Sequence, residues 1–340
     1  MLNVHDFDYE LPEARIAQTP AEPRDSSRLL VMDRESGNLQ HQHFNQVVEY
    51  IRPGDLLVAN DTKVIPARLI GRRADTGGKV EVFLLHRQSL DLWEVLVKPG
   101  KKMRPGQQVW FDEDLRGEIQ NVTEYGGRLI RFFYDGLFET VLDRLGETPL
   151  PPYIHQRLED PDRYQTVYAR ERGSAAAPTA GLHFTPELMD KVRERGASFA
   201  FVTLNIGLGT FRPVRIENIA EHVMHREFYK VSPETVELIH ETKRQGGRIV
   251  AVGTTAVRTL ESAAASGTLA AGSGWSELFI YPGYDFKVID ALITNFHLPQ
   301  STLLMLVSAF AGRDNVLAAY REAVQSNYRF FSFGDAMYIG

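Results

Sequence analysis

Two kinds of alternation in this 340-residue chain predict an α/β protein, with a mixed-sheet main domain interrupted by an inserted small β-barrel domain. From about Val80 to Phe133 the runs VEVFLLH, LWEVLVKPG, QQVWF, GEIQNV and GRLIRFFY alternate apolar and polar residues between Gly, Pro and Asp turns. That is the period of half-buried antiparallel strands. Beyond Leu182 helical periods alternate with β-rich runs, and before residue 60 LLVMD and DLLVAND read as buried strands of the same sheet. Prolines near Val64-Ile65-Pro66 and Pro149-Leu150-Pro151-Pro152 interrupt the pattern. They set the expected borders: 1–65 and 151–340 for the discontinuous α/β domain, 66–150 for the insertion.

The elements of the second half follow from their caps. Thr185-Pro186-Glu187 supplies an N-cap hydroxyl, a proline at the first helical position and an acid in the first turn, so a helix runs from Pro186 to Arg195 until Gly196 closes it. A strand follows through Ser198 to Ile206. Ser232-Pro233-Glu234 opens a second helix that ends at Gly246-Gly247, before the strand RIVAV and a helix starting near Thr255. Ala263 to Gly274 reads as a helix end entering a flexible loop, and LFIYP as a further strand. Ser301 caps the apolar helix LLMLVSAFA, Asp314 caps another through Gln325, and Tyr328 to Phe331 returns as a last strand.

Composition narrows the classes. An apolar content of 43% suits a sizeable core. There is no cysteine, which excludes disulfides, thiolate metal sites and a cysteine nucleophile. His41 with His43, and His222 with His225, lack a third ligand nearby, so no metal is expected. The opening MLNVHDFDYELPEARIA has early acids and no continuous apolar core, which predicts a cytoplasmic protein. The longest apolar stretch, Val288 to Ala311, is broken by Asp290, Asn295, His297, Pro299 and Gln300 and reads as strand, turn and buried helix rather than a membrane span.

A net charge of -6 argues against a uniformly polyanion-adapted surface, yet local basic clusters exist. Lys63, Arg68, Arg72 and Arg73 form one, and Lys98, Lys101, Lys102 and Arg104 another. Arg157, Arg163, Arg170 and Arg172 are interleaved with Tyr153, Tyr164 and Tyr168, a mixture suited to phosphates and stacked bases of RNA. Each cluster taken alone is also what an ordinary solvated surface looks like.

Chemistry concentrates in a few places. YQTVYARERGSAAAPTAGLHFTPE, from Tyr164 to Glu187, places small residues and His183 just before a helix N-terminus, so its backbone can approach a ligand closely. Gly253-Thr254-Thr255 joins a strand to a helix start, an anion site or a simple capped turn. Gly207-Leu208-Gly209-Thr210 permits the same two readings. His222, His225 and Glu227 in EHVMHREFY can exchange protons if they converge, and Asn295 and His297 in TNFHLP are polar points in an apolar run that need partners.

NDTKVIPARL, VKPGKK, RYQTVYA, APTAGLHFT, VGTTAVRTLES, FIYPGYDFKVIDALITNFHLPQSTLLMLVSAFAG and YRFFSFGDAM together resemble the S-adenosylmethionine:tRNA ribosyltransferase-isomerase family of queuosine biosynthesis, over essentially the whole chain. The resemblance implies transfer of the ribosyl unit of S-adenosylmethionine to the 7-aminomethyl-7-deazaguanine wobble base of tRNA. Rearrangement then gives epoxyqueuosine, with adenine and methionine released. S-adenosylmethionine is then a substrate, with no recycled cofactor, and tRNA is the partner of a monomer. On that reading His183, His225 and Glu227 are the expected proton carriers. Thr179, Gly181, Gly207, Gly209, Gly253, Thr254, Thr255, Arg258, Asn295 and His297 are expected on S-adenosylmethionine, with the Gly253–Arg258 stretch free to take its carboxylate or a tRNA phosphate. Lys63, Arg68, Lys101, Lys102, Tyr164, Tyr168 and Arg170 are expected on tRNA. Asn205 and Ala256 stand where the family usually has histidine and serine. A conventional methyltransferase is disfavoured by the lack of a glycine-rich loop after the first strand, and a non-catalytic RNA-binding protein by polar residues set in long apolar segments.

Overall fold

The structure, a computed structural model, describes residues 2–123, 126–156, 158–207 and 217–340. The chain divides into two compact units, Met1–Thr62 with Pro151–Glu171 and Ala177–Gly340 in one, and Lys63–Leu150 with Arg172–Ala176 in the other.

Three strands come first, β1 (Arg28–Met32), β2 (Leu39–His43) and β3 (Leu56–Asn60). They are followed by β4 (Thr62–Val64), β5 (Arg68–Arg73), β6 (Lys79–Arg87), β7 (Leu92–Lys98), β8 (Gln108–Trp110), β9 (Arg116–Val122), β10 (Arg128–Phe133) and the helix α1 (Phe138–Leu145). After β11 (Glu171–Ser174) the chain forms α2 (Pro186–Glu194), β12 (Ser198–Leu204), β13 (Glu227–Val231) and α3 (Pro233–Arg244). Then come β14 (Ile249–Val252), α4 (Thr254–Ala263), β15 (Gly272–Ser276), β16 (Ala291–Asn295), α5 (Thr302–Ala311), α6 (Arg313–Gln325) and β17 (Ala336–Ile339).

The larger unit is built on a nine-stranded sheet in the order β15-β13-β12-β3-β14-β16-β17-β1-β2. It is mixed: β3 runs parallel to β12 and β14, whereas β17 is antiparallel to β16 and parallel to β1. Successive residues face opposite layers, as the two-residue period requires. Leu30, Val58, Ala251 and Leu292 pack on one side with Ala256 and Leu260 of α4, Leu304 of α5 and Tyr320 of α6. Leu29, Leu57, Val250 and Ile293 pack on the other with Leu188 and Val192 of α2 and with Phe44 and Val47. The central strands are therefore apolar on both faces.

Side chains cap three helices at the expected places, whereas Asp314 lies in the first turn of α6, whose N-cap is Gly312 without a side-chain bond. The hydroxyls of Thr185, Ser232 and Ser301 accept from the amides of Leu188, Thr235 and Leu304 at 3.1, 3.2 and 3.2 Å. The smaller unit is a closed barrel, β10-β7-β6-β5-β8-β9, filled by Leu69, Val82, Val95, Val109, Ile119 and Ile130. Its strand β5 lies before Val80, inside the stretch that drew attention for its arginines.

Two strand expectations fail. LFIYP is not a strand: the pairing segment is GSGWS immediately before it, which lies antiparallel to β13. That segment reads as a loop by composition, but an edge strand needs only backbone groups to pair. Likewise the last strand is Ala336–Ile339, not Tyr328 to Phe331. Tyr328 and Phe330 are apolar because they fill the core beside Phe296. Among the described residues no single helix is long and apolar enough to cross a membrane.

One ion pair binds the sheet at its entry end. Asp55, 1% exposed, accepts from Arg248 Nη2 at 2.6 Å and Nε at 3.2 Å, and from the amides of Arg52 and Arg248 at 2.8 and 3.2 Å. Its carbonyl receives the amide of Ser198 at 3.0 Å. Arg52–Asp55 and Arg248 precede β3 and β14, and Ser198 opens β12, so one carboxylate and its backbone organise three strand starts. Removing one partner of such a pair leaves the other charged and dry, at a cost of about 3–5 kcal/mol. Asp55→Ala is expected to lower unfolding stability by about that amount in urea titration.

Candidate active site

A cavity in the larger unit opens where β14 enters α4 and β16 ends. Gly253 makes the first turn: its φ of 89° suits glycine, and its amide donates to Ile293 O at 2.8 Å. No side chain caps α4, so its first amides face outward with the positive end of the helix dipole. Thr254 and Thr255 line the cavity there, and the buried Thr255 Oγ1 has no hydrogen-bond partner.

The opposite wall is the end of β16. Asn295 is 2% exposed, and its Nδ2 lies 3.0 Å from Phe331 O and 3.2 Å from His183 Nε2. A carbonyl only accepts, so the amide nitrogen belongs on this side, and His183 Nε2 must be the unprotonated ring atom. His183 Nδ1 then donates to Ser27 Oγ at 2.7 Å. The ring stacks on Phe44 with centroids 4.9 Å apart. Burial pushes this imidazole down to about 3, with Arg329 and Arg24 acting in the same direction. His183 is thus neutral and committed at both nitrogens, while Asn295 Oδ1 remains buried without a partner.

Phe331 itself has φ 70°, which is unusual for a bulky residue and marks a constrained turn. Its ring meets Tyr153 at 4.7 Å, and Tyr153 Oη is 2.7 Å from Ser332 Oγ. His297 Nε2 bonds Thr294 Oγ1 at 2.9 Å, and burial lowers this imidazole to about 3. The segment Thr179–His183 closes the wall as a 3₁₀ turn. A Cβ on Gly181 would lie 2.0 Å from Tyr168 Oη, so only glycine fits there.

A second charged cluster lies along α4. Glu227, 3% exposed, pairs with Arg258 Nη1 and accepts from the Gly207 amide at 3.0 Å. Arg258 is 4% exposed, and its Nε and Nη2 have no partner.

The structure therefore redistributes the expected residues. Thr179, Gly253, Thr254, Thr255, Asn295 and His297 line one cavity. Gly181 packs behind the wall, Gly207 and Arg258 join Glu227, and Gly209 lies outside the described residues. None of the three expected proton carriers lines the cavity. His183 is buried with both ring nitrogens in hydrogen bonds, Glu227 is held in a buried ion pair, and His225 is exposed.

On the expected tRNA surface, Tyr164 is 0% exposed and packs edge-on to Phe333, so no base can stack on it. Tyr168 also turns inward, its hydroxyl buried without a partner against Gly181. Their aromatic character serves packing. Arg170 stays exposed while it pairs with Asp61 at 2.6 Å, and Arg157 lies outside the described residues. In the barrel unit Lys63 is half-buried and Arg68 is bound to Glu81 and Glu147 at 3.0 and 3.2 Å. Lys101 and Lys102 are exposed on a turn held by Arg128, which donates to Gly100 O and Met103 O at 2.6 Å. Sequence reasoning missed Ser27, Phe331 and Arg128, because each acts through contacts distant in the chain. Among the described residues no group of three or more His, Asp or Glu side chains is placed to hold a metal ion.

A mixed α/β sheet with a closed barrel and a cavity lined by backbone amides, hydroxyls and a carboxamide defines a small-molecule-binding α/β protein. The chain matches the family described as "Queuosine biosynthesis protein" over residues 4–339, and it belongs to that family. Proteins named S-adenosylmethionine:tRNA ribosyltransferase-isomerase from Symbiobacterium thermophilum and Moorella thermoacetica are each 60% identical to it, over 99% of this chain and 100% of theirs. The one from Acetivibrio thermocellus is 57% identical over the same shares. The crystal structure of the S-adenosylmethionine tRNA ribosyltransferase from Thermotoga maritima is similar at 44% identity and a TM-score of 0.58, covering 98% of this chain and 100% of that one.

Both buried histidines have depressed folded-state values against an ordinary 6.5, so below pH 6.5 the unfolded chain binds protons that the fold refuses. Their contribution is complete above pH 6.5 and is lost as pH falls toward about 3. Unfolding free energy measured between pH 7 and 5 is expected to fall, each imidazole adding a slope that approaches about 1.4 kcal/mol per pH unit.

Proposed function

We propose that this protein transfers and isomerises the ribosyl moiety of S-adenosylmethionine onto the 7-aminomethyl-7-deazaguanine wobble base of tRNA, giving epoxyqueuosine-tRNA with release of adenine and methionine. The observation that carries this reading is 60% identity to enzymes of that name along 99% of the chain. S-adenosylmethionine is consumed as a substrate. The positive sulfur acidifies the adjoining ribose 5′ carbon, whose proton passes to a base as a ylide forms; the N-glycosidic bond to adenine breaks, the acceptor amine attacks the ribosyl fragment, and the C5′–S bond breaks to release methionine.

The site can bind and orient such a donor. We assign Thr179, Gly253, Thr254, Thr255, Asn295 and His297 to the donor cavity, with Gly181 shaping its wall. Arg258 offers two buried donor groups, the chemistry that holds a carboxylate, and Glu227 and Gly207 fix its position. Arg258→Met is expected to raise KM for S-adenosylmethionine by about tenfold or more, the loss of one charge-assisted hydrogen bond, in steady-state assays.

For the tRNA we assign Lys101 and Lys102 first, with Lys63, Arg68 and Arg170 as further contacts. The two lysines are exposed and make no ion pair among the described residues. Replacing both by glutamate should weaken tRNA binding, reduce the slope of log affinity against log salt by about two, and leave the melting temperature near that of the parent. The working unit is read as a monomer acting in the cytoplasm.

The decisive assay incubates the protein with S-adenosylmethionine and tRNA carrying the aminomethyl base and identifies the small products. Adenine and methionine are expected. S-adenosylhomocysteine in their place, or no turnover, would overturn the reading.

A further inference from the structure

Among the described residues, no formally charged side chain lines the donor cavity. Its wall is Tyr153, Pro178, Ile206, Phe296, Leu298 and Phe331 with a few hydroxyls and the Asn295 carboxamide. The imidazole among the described lining residues, His297, is kept neutral by burial. A carboxylate with its ammonium, or a sulfonium, would lose water here without a counter-charge, whereas a flat neutral heterocycle would bury apolar faces at no such cost.

The polar atoms fit that ring. Asn295 Oδ1 is a buried acceptor with no partner. Its orientation is set, because Phe331 O and the lone pair on His183 Nε2 both demand the amide nitrogen. Thr255 Oγ1 and the uncapped start of α4 line the same cavity and can donate. A ring with an exocyclic amine beside unprotonated ring nitrogens presents one donor and adjacent acceptors, the complement of this arrangement.

We propose that this cavity is the adenine subsite, where Asn295 Oδ1 accepts from the 6-amino group and Thr255 with the first amides of α4 donates to ring nitrogens. His183 is the positioning residue that keeps the Asn295 amide from turning over. This rests on the proposed function and says which end of the donor lies in the cavity. The charged amino-acid end then falls outside it, which suits the unpartnered donors of Arg258 one turn along α4.

Asn295 Oδ1 should therefore reject a 6-oxo base, since two acceptors would face each other in a dry pocket. An unpaired buried acceptor costs about 1–3 kcal/mol, which is about 5–150-fold in kcat/KM. The test compares kcat/KM for S-adenosylmethionine and its 6-oxo analogue on the same tRNA, with Asn295→Ala and His183→Gln beside the parent protein. The parent is expected to prefer the 6-amino donor by tenfold or more, Asn295→Ala to bring the ratio within about threefold of one, and His183→Gln to lower it by freeing the amide. A parent ratio near one, or an undiminished ratio in a folded Asn295→Ala, overturns the subsite while leaving ribosyl transfer intact. Should Asn295→Ala not fold, the parent ratio and the His183→Gln ratio decide. Absence of adenine release by the parent from S-adenosylmethionine would instead remove the function on which the subsite rests.

Discussion

A carboxamide at the end of a wholly buried strand must satisfy its polar atoms without water, and much of the site follows from how Asn295 does this. Its nitrogen requires two acceptors, which are found on Phe331 and His183. Phe331 presents its carbonyl from a turn with φ 70°, and His183 can present a lone pair only if its other nitrogen carries the proton and donates it in a hydrogen bond to Ser27 Oγ. Four residues from distant parts of the chain are thereby committed to one orientation of one amide. The acceptor left over, Oδ1, is buried without a partner in a residue that lines the cavity.

Such a network gives a neutral site its specificity. Two buried charged pairs of the larger unit are Asp55–Arg248 at the strand starts and Glu227–Arg258 along α4. Neither pair faces the cavity. A dry, uncharged pocket strengthens each hydrogen bond to a bound base and penalises each mismatch, so a few fixed dipoles can discriminate where ionic groups would only attract.

The mixed sheet and the barrel were legible because strand and helix periods, and the caps Thr185, Ser232 and Ser301, are local signals. β15 was not, since GSGWS pairs through its backbone and carries no alternation. Tyr328 and Phe330 read as a strand because apolarity in a short run does not distinguish a strand from a core-filling turn. Six of the residues expected on the donor line one cavity, which residue types alone could bring to notice but not place together. Burial was not legible: Tyr164 and Tyr168 look the same in sequence whether their rings face RNA or Gly181. Nor does the sequence show that His183 is enclosed, with both of its ring nitrogens in hydrogen bonds.

Asn205 bears on the same distinction. It stands where the family resemblance leads one to expect histidine, and an asparagine cannot move protons near neutral pH. In the fold its Oδ1 accepts from Thr62 Oγ1 at 2.9 Å, and its amide donates to Phe228 O at 2.9 Å. A ring nitrogen of histidine can accept from that same hydroxyl. What the position supplies is then an acceptor at the end of β12, tying Thr62 to the segment that leads to Gly207 and Glu227. Asparagine preserves that bond while giving up the titration, so the exchange is tolerable if the residue positions its neighbours and is not if it carries a proton. The hydrogen bond to Thr62 favours positioning, and it places Asn205 with His183 among the polar residues whose work is to hold another group still.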